Sequence, residues 1–402
     1  MEISLEAVQR AAAAITDDIV RTPTLRSITL SRLAGVDVHV KFENLQFTGS
    51  FKDRGSAYHL QCLTPEQRER GVIALSAGNH AQGVAYHAGR LGIEATIVMP
   101  ATAPFSKVAA TKTLGATVVQ AGSTVVEAGA TAEELQARHG YCYIPPYDDP
   151  AVIAGQGTVA LEMLADAPEL DTLVVPIGGG GLIAGMAVAA RALHPSIRIV
   201  GVEIAAYPTV AEALAGRTPP APTGGTLADG IAVSALGELT FPLIRDLVDD
   251  VVVVSESSTE RAIALYLEIE KTVAEGAGAV SLAAVLDHGD RVGGSKVGVV
   301  LSGGNIDMRV LASVLMQRLV NTGRISTIRM RIDDRPGQLA PVVDTIADTG
   351  ANVIEIDHRR LFDPISARST NIDVVVETRD AHHRAVLIEA LAAVVSKVDV
   401  IG

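Results

Sequence analysis

The pattern of apolar and polar positions changes character twice along the chain. From about residue 70, short β-branched runs alternate with Ala-rich stretches of helical period, as in βαβ units around a parallel sheet. The runs at 71–75, 95–99, 172–177, 197–202, 251–254 and 297–301 are apolar on both faces and predict strands buried on both sides. Several end directly in Gly, Ser or Pro. In open α/β sheets ligands gather at the carboxyl ends of strands, so chemistry is expected at those endings.

The second change comes after Asn321-Thr-Gly-Arg324, where 325–332 alternates apolar and polar residues, as in a sheet with one solvated face. The order from there reads strand 325–332, helix 336–349, strand 352–360, strand 371–378, helix 380–395 and strand 398–401. This β-α-β-β-α-β series predicts a ferredoxin-like unit. Pro336 suits a first helical position, whose amide has no intrahelical partner, and 361–369 reads as the turn between the middle strands. The expected division is a catalytic part at 1–320 and a small domain at 325–402.

At 402 residues the chain is long enough for several cores, and 48% hydrophobic content with 3% aromatics and no Trp supports an α/β architecture. A net charge of -13 argues against nucleic acid and anionic membranes as partners. The acidic start lacks the positive charge of a targeting peptide, and no apolar run approaches the roughly 20 residues of a membrane span. A cytoplasmic protein is expected. Cys62 and Cys142 are too few for a disulfide framework and are expected as two buried free thiols.

Lysine occurs only at 41, 52, 107, 112, 271, 296 and 397, and Lys52 stands within Gly49-Ser-Phe-Lys-Asp-Arg-Gly55. A neighbourhood that lowers its pKa would make it a Schiff-base nucleophile, with Phe51 packing on a planar ring. An ordinary surface lysine has the same spacing. In Val175-Pro-Ile-Gly-Gly-Gly-Gly-Leu-Ile183 a strand runs through Gly178, Gly179, Gly180 and Gly181 into a helix, a turn whose free amides suit one phosphate. No lysine follows, so a nucleotide triphosphate loop fits poorly. Leu75-Ser-Ala-Gly-Asn-His80 is again strand, turn and helix start. Ser76 and nearby amides can take a carboxylate and Asn79 can donate to a ring oxygen, although either residue can equally cap a helix. His80 is read as a structural donor before a general base. Ser302, in Val300-Leu-Ser-Gly-Gly-Asn305, is a neutral hydrogen-bonding group or a turn residue at the sheet's rim.

Together with Thr226-Leu-Ala-Asp-Gly-Ile231 and Glu275-Gly-Ala-Gly-Ala279, these motifs resemble the threonine and serine dehydratase family of fold-type II pyridoxal-phosphate enzymes, in order from about residue 5 to 320. The resemblance implies a two-lobed, tryptophan synthase β-like fold, with a small lobe at about 50–150 inserted in the large one. Residues 325–402, with Asp334-Arg-Pro-Gly-Gln-Leu339 and Gly350-Ala-Asn352, resemble an ACT domain.

By resemblance, Lys52 carries pyridoxal phosphate and is the Cα base, Phe51 lies against the ring, Asn79 near its oxygen, 178–181 on the phosphate and Ser302 at the pyridine nitrogen. Glu275 lies near the cofactor without an assigned role. Ser76, Gly78 and His80 form the substrate segment, and the acid for the leaving hydroxyl is the cofactor phosphate ahead of His80. A neutral serine at the ring nitrogen weakens the electron sink and favours elimination. The expected activity converts L-threonine to 2-oxobutanoate and ammonia, and L-serine to pyruvate. The alternatives are a serine racemase, a hydroxyaspartate dehydratase or a β-replacement synthase of the same fold. Serine racemases carry a second serine where this chain has Ala77, which argues against racemisation. Glu203 falls at the family's cation site, but Ala206-Tyr-Pro-Thr209 lacks a second acidic ligand, so the metal is left unassigned. Asp334, Gly337 and Asn352 would contact an amino-acid effector, with isoleucine or valine first to try, and a homo-oligomer, dimer or tetramer, is expected.

Overall fold

The computed structural model describes residues 2–221, 224–359 and 368–401, and it divides into two compact units, 1–307 and 308–402. The first unit opens a sheet with β1 (Thr24–Ser27) and β2 (Asp37–Phe42). The chain then leaves for a second sheet of β3 (Val72–Leu75), β4 (Ala95–Met99), β5 (Thr117–Gln120) and β6 (Cys142–Tyr143). It returns with β7 (Thr172–Pro176), β8 (Arg198–Ile204), β9 (Asp250–Val254) and β10 (Lys296–Leu301).

The larger sheet has the order β1-β2-β10-β7-β8-β9 and the smaller β5-β4-β3-β6. Every pair is parallel except β1 with β2. β4 and β7 are buried at every position, the consequence of helices covering both faces of a parallel sheet. Leu173, Val175, Ile183, Met186 and Ile199 share the core of the large layer, and Val72, Ala74, Val84, Ile97 and Met99 that of the small one. The helices Lys52–Gln61 and Pro150–Asp166 cross at a glycine pair, where a Cβ on Gly155 would lie 2.7 Å from the Gly55 Cα. No larger residue lets these backbones meet.

In the second unit β11 (Ile325–Asp333), β12 (Asn352–Arg359), β13 (Ser369–Glu377) and β14 (Lys397–Val400) form an antiparallel sheet of order β12-β13-β11-β14. With the helices Leu339–Thr349 and Ala381–Ala392, the order is β-α-β-β-α-β. Alternate residues of β11 and β13 face a core of Ile328, Met330, Ile346, Ile372, Val374 and Leu387.

Three expectations are corrected. The helix Met308–Asn321 groups with the C-terminal unit, so the boundary falls one helix before 320. The helix expected from Pro336 starts at Leu339, because Gly337 takes a left-handed φ of 87° that ends helical geometry and turns 336–338 into a loop. The thiols are free but not buried: Cys62 is exposed at the end of its helix and Cys142 is half-buried. The turn expected at 361–369 falls largely outside the described residues. Among the described residues no helix is long and apolar enough to cross a membrane.

Candidate active site

Lys52 opens its helix at the end of a turn stapled on both sides. Within the turn, the Asp53 carboxylate accepts from the Thr48 amide at 2.9 Å and from its hydroxyl at 2.5 Å. From outside, the Phe51 amide donates to the Ser302 carbonyl at 3.0 Å and the Gly304 amide to the Gly49 carbonyl at 2.9 Å, joining the turn to the end of β10. The Lys52 Nζ lies 5.1 Å from the centre of the Phe51 ring and donates to the Pro146 carbonyl at 2.5 Å. Burial pulls the amine down to about 8 against the opposing attraction of Glu275.

Two positions on, Arg54 anchors the same helix from the opposite side. Its guanidinium donates to both oxygens of Glu43 and both of Glu162, all at 2.7 Å. Lys41, on β2, adds a bond from its Nζ to Glu162 at 2.5 Å and another to the Thr22 carbonyl at 2.6 Å. Arg54, Glu43 and Lys41 are fully buried. The sequence does not single out this cluster because its members are scattered from 22 to 162, and only the balance of two cations, Lys41 and Arg54, with two acids, Glu43 and Glu162, hints at it.

Asn79 heads the helix Asn79–Arg90, whose cap is Gly78 with no side-chain bond. The Ser76 hydroxyl accepts from the Gly78 amide at 3.2 Å, and no acceptor among the described residues takes the amides of Asn79, His80 or Ala81. That leaves an anion-binding end beside Ser76. The Asn79 side chain donates to Glu275 Oε1 at 2.6 Å and accepts from Asn305 Nδ2 at 2.8 Å. The Glu275 carboxyl is raised to about 7, first by burial and then by Asp229. Ser302 is buried, with its hydroxyl 3.3 Å from the Ala277 carbonyl.

The His80 side chain is engaged away from any acid role, while its amide, without an acceptor among the described residues, stays free beside Ser76. Its buried ring binds the Ile144 carbonyl through Nε2 at 2.8 Å, which requires a hydrogen on that nitrogen, and burial lowers its pKa to about 3. It is a neutral tether between its helix and the end of β6.

The four glycines each serve a close approach. Gly180 has a φ of 87° at the cap of the helix Gly181–Leu193, and a Cβ on Gly179 would lie 2.2 Å from the Tyr147 ring. No acceptor among the described residues takes the amides of 178–183, so six successive donors remain at a helix start. This is the arrangement a phosphate needs. The Thr240 hydroxyl holds the Gly179 carbonyl at 2.8 Å, and the Asp148 carboxylate receives the amides of Glu238, Leu239 and Thr240 at 2.8 to 3.0 Å. Nothing in the sequence analysis singled out 145–149. Its Pro-Pro-Tyr-Asp-Asp composition was the available signal.

Glu203 caps a helix: its carboxyl accepts from the Val210 and Ala211 amides, each at 2.8 Å, and burial raises it to about 7. No cluster of three potential metal-ligating side chains occurs among the described residues. In the second unit the Asp334 amide binds the Arg368 carbonyl at 2.9 Å, Gly337 lies at the exposed turn, and Asn352 Nδ2 is 3.5 Å from Glu377 Oε2. Asp334, Gly337 and Asn352 are all exposed.

The free amides at 178–183, the depressed amine of Lys52, the Asn79 amide and the Ser302 hydroxyl fit pyridoxal phosphate in charge and donor type. Residues 15–303 match the family described as Pyridoxal-phosphate dependent enzyme. The chain is 42% identical over its full length to the whole L-threonine ammonia-lyase of Thermotoga maritima. Among solved structures, maize serine racemase covers 80% of this chain and 99% of its own at 37% identity, with a TM-score of 0.75. The processed form of threonine deaminase isoform 2 from Solanum lycopersicum covers 77% and 87% at 35% identity, with a TM-score of 0.73.

Proposed function

The chain belongs to the pyridoxal-phosphate-dependent enzyme family with the fold-type II architecture, and from that premise we propose that it dehydrates and deaminates L-threonine to 2-oxobutanoate, and L-serine to pyruvate. The observation that carries the reading is the Lys52 amine, drawn down to about 8 and bound to a carbonyl rather than a carboxylate. Part of it is neutral near pH 7, as a general base requires.

The bound cofactor supplies the sink for the electron pair left at Cα. The amides of 178–183 would bind its phosphate, Phe51 would pack on the ring, and Asn79 and Ser302 would orient it through neutral hydrogen bonds. Ser76 and the amides of 78–81 hold the substrate carboxylate. Lys52 takes the Cα proton, the Cβ–O bond breaks and the hydroxyl leaves with a proton as water, so that the net loss is one H and one OH. The released enamine takes a proton at Cβ to become an imine, which water hydrolyses to ammonia and the 2-oxo acid.

The likeness to the maize enzyme favours one second reading, serine racemisation. Ala77 supports elimination instead, because its methyl packs against the small-sheet core and offers no proton. Incubation of the loaded protein with L-threonine, L-serine, and serine plus sulfide tests the readings. The expected products are 2-oxobutanoate and pyruvate. D-serine or a thiol amino acid as the main product would overturn the proposal.

We read the C-terminal unit as an ACT domain and the protein as a cytoplasmic homo-oligomer. The β-α-β-β-α-β order and the exposed turn at Gly337 support an effector site at Asp334, Gly337 and Asn352. Isoleucine or valine should alter threonine turnover in the wild type, and Asn352→Ala should weaken that effect; unchanged response in the variant removes the site.

A further inference from the structure

The helix Phe105–Thr113 packs beside the small sheet, yet its Lys107 Nζ reaches Asp229 Oδ2 at 2.5 Å in the short turn Asp229–Ile231 of the large layer. A second contact, Ser106 Oγ to Asp307 Oδ2 at 3.4 Å, runs in the same direction. The Asp229 turn is a wall of the site. The Ile231 Cα backs the phosphate turn 3.0 Å from where a Cβ on Gly178 would stand, and a Cβ on Gly230 would lie 3.7 Å from Glu275 Oε1. Glu275 in turn holds Asn79.

We propose that Lys107 and Asp229 are positioning residues whose ion pair closes the helix Phe105–Thr113 over the cleft and sets the charge around Glu275, and through it the placement of Asn79. This rests on the cofactor site described above. The groups facing Glu275 are Asp229 from the turn, Lys107 from the helix, Lys52 from its own helix, the side chain of Asn79 and the backbone of Asn305. The Asp229 carboxylate opposes ionisation of Glu275 and the Lys107 ammonium favours it. Neutralising either partner also frees the other, so each change reinforces its own direction.

A pair whose acid is 57% exposed contributes little to stability, so single substitutions leave folding intact. A plain structural latch predicts that both variants behave alike. Electrostatic control of Glu275 predicts opposite signs.

The thermal midpoint of cofactor-free protein is followed against pH, with Glu275→Gln identifying the part that belongs to Glu275. Asp229→Asn moves that titration down by roughly half a pH unit and Lys107→Met moves it up by a similar amount. Lys107→Arg leaves it in place. In loaded protein, both charge-removing variants raise KM for L-threonine severalfold with a smaller change in kcat. Shifts of one sign, or none, overturn the proposal. Absence of threonine turnover in the wild type would defeat the proposed function instead, and the cofactor-free titration would still decide the role of the pair.

Discussion

The Lys52 amine donates to the carbonyl of Pro146, so the reactive nitrogen is held by the segment 145–149 rather than by its own helix. The same segment lays Tyr147 on Gly179, caps the helix Thr240–Leu247 through Asp148, and binds His59 through Asp149. One short stretch thus connects the lysine turn to the phosphate turn.

Gly179→Ala should expel Tyr147 from its place, because the new methyl would stand 2.2 Å from the ring. Overpacking of this kind costs about 1–3 kcal/mol. Weaker cofactor binding and a lower melting temperature are expected, and the double variant with Tyr147→Gly should recover the melting temperature. Full cofactor affinity in Gly179→Ala alone would speak against the close approach.

Arg54→Met should destabilise the protein by about 3–5 kcal/mol, since Glu43 and Glu162 would keep only Lys41 as a buried cation. Chemical denaturation of the cofactor-free chain measures it. A loss below about 1 kcal/mol would mean that the carboxylates find water or protonate cheaply.

These two sites show what the sequence could reveal. Strands such as β4 and β7 were legible because β-branched runs buried on both faces have few other solutions. The burial of β2 on both faces was not, because Asp37-Val-His-Val-Lys-Phe42 carries His39 and Lys41 in alternation like a half-solvated strand, while the fold buries both and neutralises Lys41 with Glu162. Lys52, Asn79, 178–181 and Ser302 stood out as candidates because they sit in glycine-bounded turns at strand ends, and the family resemblance rather than the spacing suggested a role for each. Tyr147, Asp148 and Arg54 act through partners brought in by tertiary packing; the Pro-Pro-Tyr-Asp-Asp composition marks its segment, but local pattern does not name what these side chains will meet. His80 was read first as a structural donor: its place at a helix start is visible in the sequence, but the Ile144 carbonyl that takes its ring is not.

His59 gives a pH signature. Burial pulls the ring down, but hydrogen bonding to Asp149 at 3.0 Å and to Cys142 lifts its pKa to about 9, against an ordinary 6.5. A raised folded-state value means stabilisation that is complete below about 6.5 and lost as pH rises through about 9. His59→Gln should therefore remove on the order of 2–3 kcal/mol at pH 6 and much less at pH 10. Melting curves of the two proteins that differ equally at both pH values would contradict the ion pair.

The most direct test of the account is formation of 2-oxobutanoate from L-threonine by the loaded wild type and by Lys52→Ala. Turnover is expected in the wild type, with a loss of about a thousandfold or more in the variant, whose cofactor no longer stays attached after borohydride reduction. Undiminished 2-oxobutanoate from Lys52→Ala would contradict the central role of this lysine.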